Sequence, residues 1–439
     1  ENVSILVHNI LGELVDVKNS FLTKGNYIVD WYSKGSAGVY FYTIMYGNQS
    51  ITKKMIQLDG GNGIGLGEIR SGIVNSVSGE NPIPALNIEI VITKFSYAAD
   101  TTITNITGGE NISTFLQTIH SKYTLIDLHN DVLEVMIGDP NYHLSDLHNY
   151  NHTDIPRLQQ GGVDIQFFSI WVSPTEYTNY FNQALIMRDL FYSELAANTL
   201  TIEQTTTMNQ ALEINEQNKI AAVIGVEGGH HIEESIDKLV QLYNAGMRYL
   251  TITWNNSISW AISAADSRTT TQGLNSFGRQ VIRTLDSLGV IIDVSHTGIK
   301  TIQDILQETN NPIIATHSGA RSIKNHTRNL YDWQIQDIAN SGGVVGIVFY
   351  PPFLTSNPQT YISDVIQHID HIVNLVGVDY VAIGSDFDGI GTNVVLGLED
   401  VSKYPDLTLA LLEHGYTEQE VAKFLGGNFK RVVEEVCEN

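Results

Sequence analysis

The chain has 439 residues, too many for one ordinary hydrophobic core, so two or more domains are expected. It carries 48 acidic against 24 basic residues, a formal net charge of -24, which argues against a nucleic-acid or anionic-membrane partner, since both need a basic face. A single cysteine, Cys437, excludes an intrachain disulfide and a Cys-rich zinc knuckle, and no apolar run reaches the length of a membrane span. Residue 1 is Glu and no signal peptide is visible, so a trimmed or mature product is expected.

Residues 1–59 alternate apolar and polar side chains in short runs at Val3–Val7, Tyr27–Trp31, Val39–Ile44 and Lys53–Leu58. Period-two runs with Gly and Asn between them predict a small antiparallel β-sandwich. Residues 60–118 open on the Gly-rich stretch 60–67, which lacks a following Gly-Lys-Ser/Thr and leads into no helix. It reads as a linker rather than a phosphate loop. Leu86–Ile92 and Thr101–Thr104 predict a second small β region.

From 119 to 439 the period changes. Apolar strands are expected to begin near Thr124, Val163, Ala221, Arg248, Val290, Pro312, Val344 and Tyr380. Helical stretches lie between them, including Thr178–Asn198, Ser235–Ala245, Ser276–Leu288, Asp332–Asn340 and Tyr361–Val376. Eight strand–helix units predict an α/β fold, a (β/α)8 TIM-type barrel enlarged by insertions. Thr417 to Glu420 form a capping box that opens a last helix running to about Val436. Its Phe424, Leu425, Phe429, Val432 and Val433 keep helical spacing, so it is expected to close over the barrel.

Polar groups at the downstream tips of parallel barrel strands share one rim, where barrel chemistry resides. His129 and Asp131 stand two apart, on one side of a strand, and can bind one ion. Glu227 ends the apolar run Ile220–Val226. A carboxylate there is buried at a cost unless cations balance it, as a position between two ions would; the plainer readings are an N-cap or a salt-bridged core acid. His296 and His317 end two successive strands, and each alone reads as a satisfied buried histidine. Asp386 is placed for proton transfer, whereas Asp388, before Gly389, reads as a turn residue. Taken jointly, the tips predict a metal-assisted hydrolase with two divalent ions. Nitrogen and oxygen ligands alone admit zinc, manganese, cobalt or iron.

The segments Ile126–Asp131, Val226–His230, Gly246–Thr251, Gly289–His296, Thr316–Ser318, Arg328–Leu330, Gly384–Gly389 and Tyr404–Leu407 resemble, in order, the membrane (renal) dipeptidase family of zinc peptidases in its bacterial branch. The resemblance implies two zinc ions, one on His129, Asp131 and Glu227, the other on Glu227, His296 and His317. Glu227, as the bridge, and Asp386, as proton carrier, are then the catalytic candidates. Arg328 is the expected grip on a dipeptide's carboxylate. The implied reaction is attack of a metal-bridging hydroxide on a dipeptide, with a D-residue admitted at its C-terminal position. Mammalian members carry a substrate-contacting histidine where this chain has Trp254-Asn255-Asn256. Asn255 is therefore the candidate replacement donor, and Trp254 a substrate-facing or packing residue. A homodimer is a further expectation from the family.

The stretches His8–Leu14, 25–27, 36–42 and Thr52–Met55 resemble the β-sandwich module of type IX secretion sorting domains. Such modules normally sit at the C-terminus of cargo, so here the resemblance implies a spacer, docking or cell-surface attachment role on an extracytoplasmic bacterial protein. Two rival readings stand beside the dipeptidase. One is a related metal-dependent amidohydrolase acting on N-acyl amino acids or lactones; many of those bridge their metals with a carbamylated lysine on the fourth strand, where this chain has Thr251-Ile252-Thr253-Trp254. The other is a non-catalytic, surface-attached barrel, which would be free to lose the rim residues.

Overall fold

The computed structural model describes residues 2–9, 11–22, 26–35, 38–46, 49–57, 61–66, 68–71, 87–92 and 120–438. The chain forms two compact units, residues 1–111 and residues 112–439.

In the first unit, β1 (Asn2–Asn9), β2 (Leu14–Phe21), β4 (Gly38–Tyr46) and β5 (Gln49–Gln57) form an antiparallel sheet in the order β2-β1-β4-β5. A second sheet centres on β3 (Asn26–Gly35), flanked by β6 (Gly61–Leu66), β7 (Arg70–Ser71) and β8 (Asn87–Ile92). Val3, Ile5 and Val7 alternate inward from β1 and share a core with Val29, Tyr40, Ile44 and Leu66. That is the period-two burial of a half-buried strand. Two elements depart from expectation. β2 carries no clear apolar alternation, and the Gly-rich stretch is not a linker throughout, because β6 pairs antiparallel with β3. Asp16 of β2 explains both, since its Oδ2 accepts the Leu66 amide at 2.7 Å and its Oδ1 accepts Lys34 Nζ at 3.1 Å. Thr101–Thr104 lies outside the described residues.

The second unit is a closed parallel barrel. Its strands are β9 (Ile126–Asn130), β10 (Ile165–Ile170), β12 (Ile220–Glu227), β13 (Met247–Thr251), β14 (Ile291–Asp293), β15 (Ile313–Ser318), β16 (Val345–Ile347) and β17 (Val381–Ile383). The ring closes because β9 pairs with both β10 and β17, and β10 pairs with β12. A short extra strand, β11 (Ile202–Gln204), adds to the outside of β12. Every residue of β9, β10, β12 and β15 is buried. Strands covered on both faces by helices and barrel interior carry such continuous apolar runs. The eight strand starts and the five interleaved helices fall within a few residues of their predicted places.

The last helix departs in one respect. It runs as Glu418–Ala422, a π-helical turn Lys423–Gly427, then Asn428–Cys437. Gly426 lies so close under β9 that a Cβ there would stand 2.5 Å from the Thr124 carbonyl oxygen. The widened turn admits this approach. It lets Phe429, Val432, Val433 and Val436 plug the upstream end of the barrel, with the Phe429 ring edge-on to Phe167 at 5.2 Å. Among the described residues no helix is long and apolar enough to cross a membrane.

Candidate metal centre

At the downstream rim the predicted residues meet. His129 stands in β9 and Asp131 just beyond it; Glu227 is the last residue of β12; His317 stands near the end of β15. His296 and Asp386 follow β14 and β17 in left-handed backbone, φ 64° and 63°. Such conformations are sparsely populated for residues with a Cβ and persist where the surroundings impose them. Gly389 is required by space, since a Cβ there would overlap Asp131 Oδ2 and stand 2.7 Å from Asp386 Oδ1. Asp388, φ 70°, turns away from the centre; its Oδ1 accepts the His152 amide at 2.8 Å.

Glu227 divides its two oxygens. Oε2 faces His129 Nε2 at 3.8 Å, while Oε1 faces His296 Nε2 at 2.9 Å and His317 Nε2 at 3.4 Å. His129 Nε2 also lies 3.3 Å from Asp131 Oδ2 and 4.0 Å from Asp386 Oδ1. Two trios offer ligand atoms within 4.8 Å of one another: His129, Glu227 and His317, and His129, Asp131 and Asp386. Asp386 thus stands within ligand distance of the group the sequence assigns to one ion.

The far nitrogens of the imidazoles are held. His129 Nδ1 pairs with the Tyr249 hydroxyl at 2.9 Å, His296 Nδ1 with Asn255 Oδ1 at 2.9 Å, and His317 Nδ1 with Thr316 Oγ1 at 2.8 Å. Asn255 Oδ1 can only accept, so His296 carries its proton on Nδ1. Thr316 gives its one hydroxyl proton to Asp293 Oδ2 at 2.7 Å, so His317 also donates through Nδ1. Both Nε2 atoms are therefore bare lone pairs, 3.1 Å apart. Burial, reinforced by the Arg328 and His129 charges, holds both histidines well below the usual imidazole range, so a proton does not relieve the contact. A shared cation does. His129 Nε2 and Asp131 Oδ1 are likewise buried with no hydrogen-bond partner among the described residues.

Charge points the same way. Burial pushes Glu227 well above the ordinary carboxylate range against the opposing pull of His129. Burial and the Asp131 charge push Asp386 up to about 7. Burial works to lower His129, but Asp131, Glu227 and Asp386 outweigh it and hold the imidazole at about 10. Two buried carboxylates, Asp131 and Glu227, crowded with the half-buried Asp386 require positive charge, and a metal ion supplies it. The donor set therefore fits metal.

The centre forms the floor of a cavity of about 260 Å³ walled by Trp171, Trp254, Asn255, Tyr350, Phe353 and Arg328. Arg328 is 6% exposed; its Nη2 donates to the His317 carbonyl at 3.2 Å, and its Nη1 has no partner among the described residues. Burial lowers the guanidinium to about 10. Trp254 packs on Trp171 at 4.9 Å and along His296 at 6.2 Å.

Several residues escaped the sequence reading. Asp127, wholly buried, accepts the Ser385 amide at 2.9 Å and the Ser385 hydroxyl at 2.7 Å, tying β9 to the tip of β17. Asp293, also wholly buried, accepts Thr251 Oγ1 at 2.5 Å and the Thr316 amide at 2.8 Å, tying β14 to both neighbours. The same signal that marks Glu227, a carboxylate in an apolar run, was available for both. Tyr249 offers no such signal, because a tyrosine in a buried strand reads as core.

Comparison with known proteins agrees with this geometry. The membrane dipeptidase family (peptidase family M19) matches residues 113–439, and a secretion system C-terminal sorting domain matches residues 1–57. The sorting-type module marks the chain for export from the cytoplasm. Human (Homo sapiens) Dipeptidase 3 is 35% identical over 329 residues, which is 73% of this chain and 66% of the human protein's length. A crystal structure of a family M19 dipeptidase superposes with a TM-score of 0.68 at 26% identity, covering 72% of this chain and 99% of the other. A Rhodobacter sphaeroides metallopeptidase, solved with a phosphinate mimic of the dipeptide L-Ala-D-Ala, superposes at 0.67 and 26%, again over 72% and 99%. By its matched residues, its barrel and the metal-competent cluster at the rim, the chain belongs to the membrane dipeptidase family, peptidase family M19.

Proposed function

We propose that the chain is a binuclear zinc dipeptidase, with residues 119–439 carrying the reaction and residues 1–59 serving in export and surface attachment. The observation that carries the reading is the division of Glu227, one oxygen toward His129 and the other toward His296 and His317. His129, Asp131 and Glu227 would hold one ion, and Glu227, His296 and His317 the other. When bound, the ions supply Lewis acidity that polarises a carbonyl and brings water's ionisation near neutral pH.

The chain's own groups do the rest. Arg328 has an Nη1 with no partner among the described residues, suited to a terminal carboxylate, and its cost of burial is recovered when that carboxylate arrives. Gripping one end limits the substrate to a length whose scissile bond reaches the floor, which favours dipeptides over longer chains. Asp386, whose Oδ1 stands 4.0 Å from His129 Nε2 at the edge of the centre, takes the proton of the attacking water and returns it to the departing amine. Trp254 and Trp171 give the cavity apolar walls. Asn255, through His296 Nδ1, acts as a positioning residue, and its amide group also lines the cavity.

The test is a panel of L-L, L-D and D-D dipeptides, N-acyl amino acids and lactones offered to the zinc-loaded protein, with metal counted by mass spectrometry. Dipeptide cleavage with two ions per chain is expected. Cleavage of acyl amino acids or lactones alone moves the chain to the amidohydrolase reading. Metal content near zero with no turnover makes it a non-catalytic barrel.

A further inference from the structure

The central cavity shares Trp171 and Glu134 with a side recess of about 140 Å³. Its walls include the apolar Ile137, Val172, Tyr177 and Met187. It also presents two carboxylates, Glu134 and Glu176, and no Lys or Arg lines it among the described residues. Glu176 adds a like charge beside Glu134. Glu134 and Glu176 are exposed, and neither has an ion-pair partner among the described residues, unlike Glu308 beside Arg279 and Arg283.

The cleft also holds one buried cation, Arg328. Arg328 and His296 are shared between the central cavity and a different neighbouring cavity of about 250 Å³, which has no residue in common with the recess. Glu134 and Arg328 thus belong to walls that the central cavity shares with two different neighbours. The buried, unpartnered Nη1 of Arg328 calls for an anionic ligand group at its end. A dipeptide with its carboxylate there and its peptide carbonyl over Glu227 directs its N-terminal residue toward Glu134.

We propose that the recess selects dipeptides whose N-terminal residue carries a cationic side chain, lysine or arginine, with its methylenes against Ile137 and Met187 and its charge between Glu134 and Glu176. A neutral side chain of equal length would dehydrate the two carboxylates and return nothing, whereas an ammonium or guanidinium offsets their repulsion. Long basic side chains suit a wall that is apolar along its length and charged at its end. This inference rests on the dipeptidase reading and adds to it the class of substrate.

The experiment compares Lys-Ala and Arg-Ala with norleucyl-Ala, the neutral match in length, using the full metal-loaded chain; Ala-Ala is the control for the reading itself. We expect kcat/KM for Lys-Ala to exceed that for norleucyl-Ala by about tenfold, the worth of one partly screened charge pair. The ratio should fall toward one in Glu176→Gln and in Glu134→Gln, each checked for retained metal. Cleavage of Ala-Ala with a ratio near one in the parent, or a ratio unmoved by both substitutions, overturns the inference and leaves the dipeptidase reading standing. If no dipeptide is cut, Ala-Ala included, the reading fails and the inference falls with it.

Discussion

His129 meets the centre through Nε2 because Tyr249 occupies Nδ1. Partners of this kind fix the ring and tune its basicity, and losing one typically lowers metal affinity 10–100-fold. Tyr249→Phe keeps the packing against Phe167 and removes the hydroxyl. We expect the variant to fold but to release metal to a chelator at concentrations some 10–100-fold lower than the parent requires. Asp386→Asn removes the proton carrier while leaving an oxygen in place. Turnover should drop by about 10²–10⁴-fold with metal content intact; undiminished turnover would take Asp386 out of the mechanism. Gly389→Ala, by contrast, should lose metal and turnover together, since the new methyl overlaps Asp131 Oδ2 and crowds Asp386. At this scale the sequence is legible where burial makes a residue type expensive. Glu227 stands out because an acid at the end of seven apolar or small residues needs a reason. The roles of Tyr249 and Thr316 were hidden because each is a residue that a core accepts without one.

Elements were legible in proportion to their apolar period. β12 and β15 are continuous apolar runs bounded by polar tips, and their places followed from that alone. β2 was not, because its exposed face carries Leu14, Val17 and Phe21 while Asp16 turns to bind β6. β6 was hidden because glycine carries no hydropathy; its pairing depends on backbone, with Gly65 at φ 80° packed against Asp16. The last helix was legible as a face but not as a broken one. Only the approach of Gly426 to Thr124 reveals why a π-helical turn interrupts it. Phe429, wholly buried in that plug, contributes by filling the barrel's upstream end. Phe429→Ala should destabilise the fold by about 3–5 kcal/mol, read as a lower denaturant midpoint at unchanged slope. A shift below about 1 kcal/mol would mean that the plug does not close the core.

For the molecule as a whole, acid is the condition that separates folded from unfolded chains by buried histidine. Burial holds His120 and His368 down to about 4, against 6.5 for an exposed imidazole. Between those values the unfolded chain binds protons that the folded chain refuses, so stability complete above pH 6.5 is lost as pH falls toward 4. Each contributes up to about 3 kcal/mol across that window. Asp164, raised by burial to about 6, acts in the opposite sense, gaining stability as pH falls through the same range. His368→Gln should therefore show a smaller loss of melting temperature between pH 7 and pH 4.5 than the parent, and Asp164→Asn a larger one. Equal slopes in all three proteins would exclude these groups as the cause.

The ring of strands has a temporal meaning. Its first strand, β9, is sealed on one edge by β17 and from beneath by the helical segment around Gly426, more than 250 residues later in synthesis. Until those last segments leave the ribosome, β9 keeps an open edge and the Phe167 layer has no floor. The barrel of a growing chain must be shielded by chaperones until residues 420–437 have emerged, and a variant that stops at Gln419 should yield an aggregating barrel.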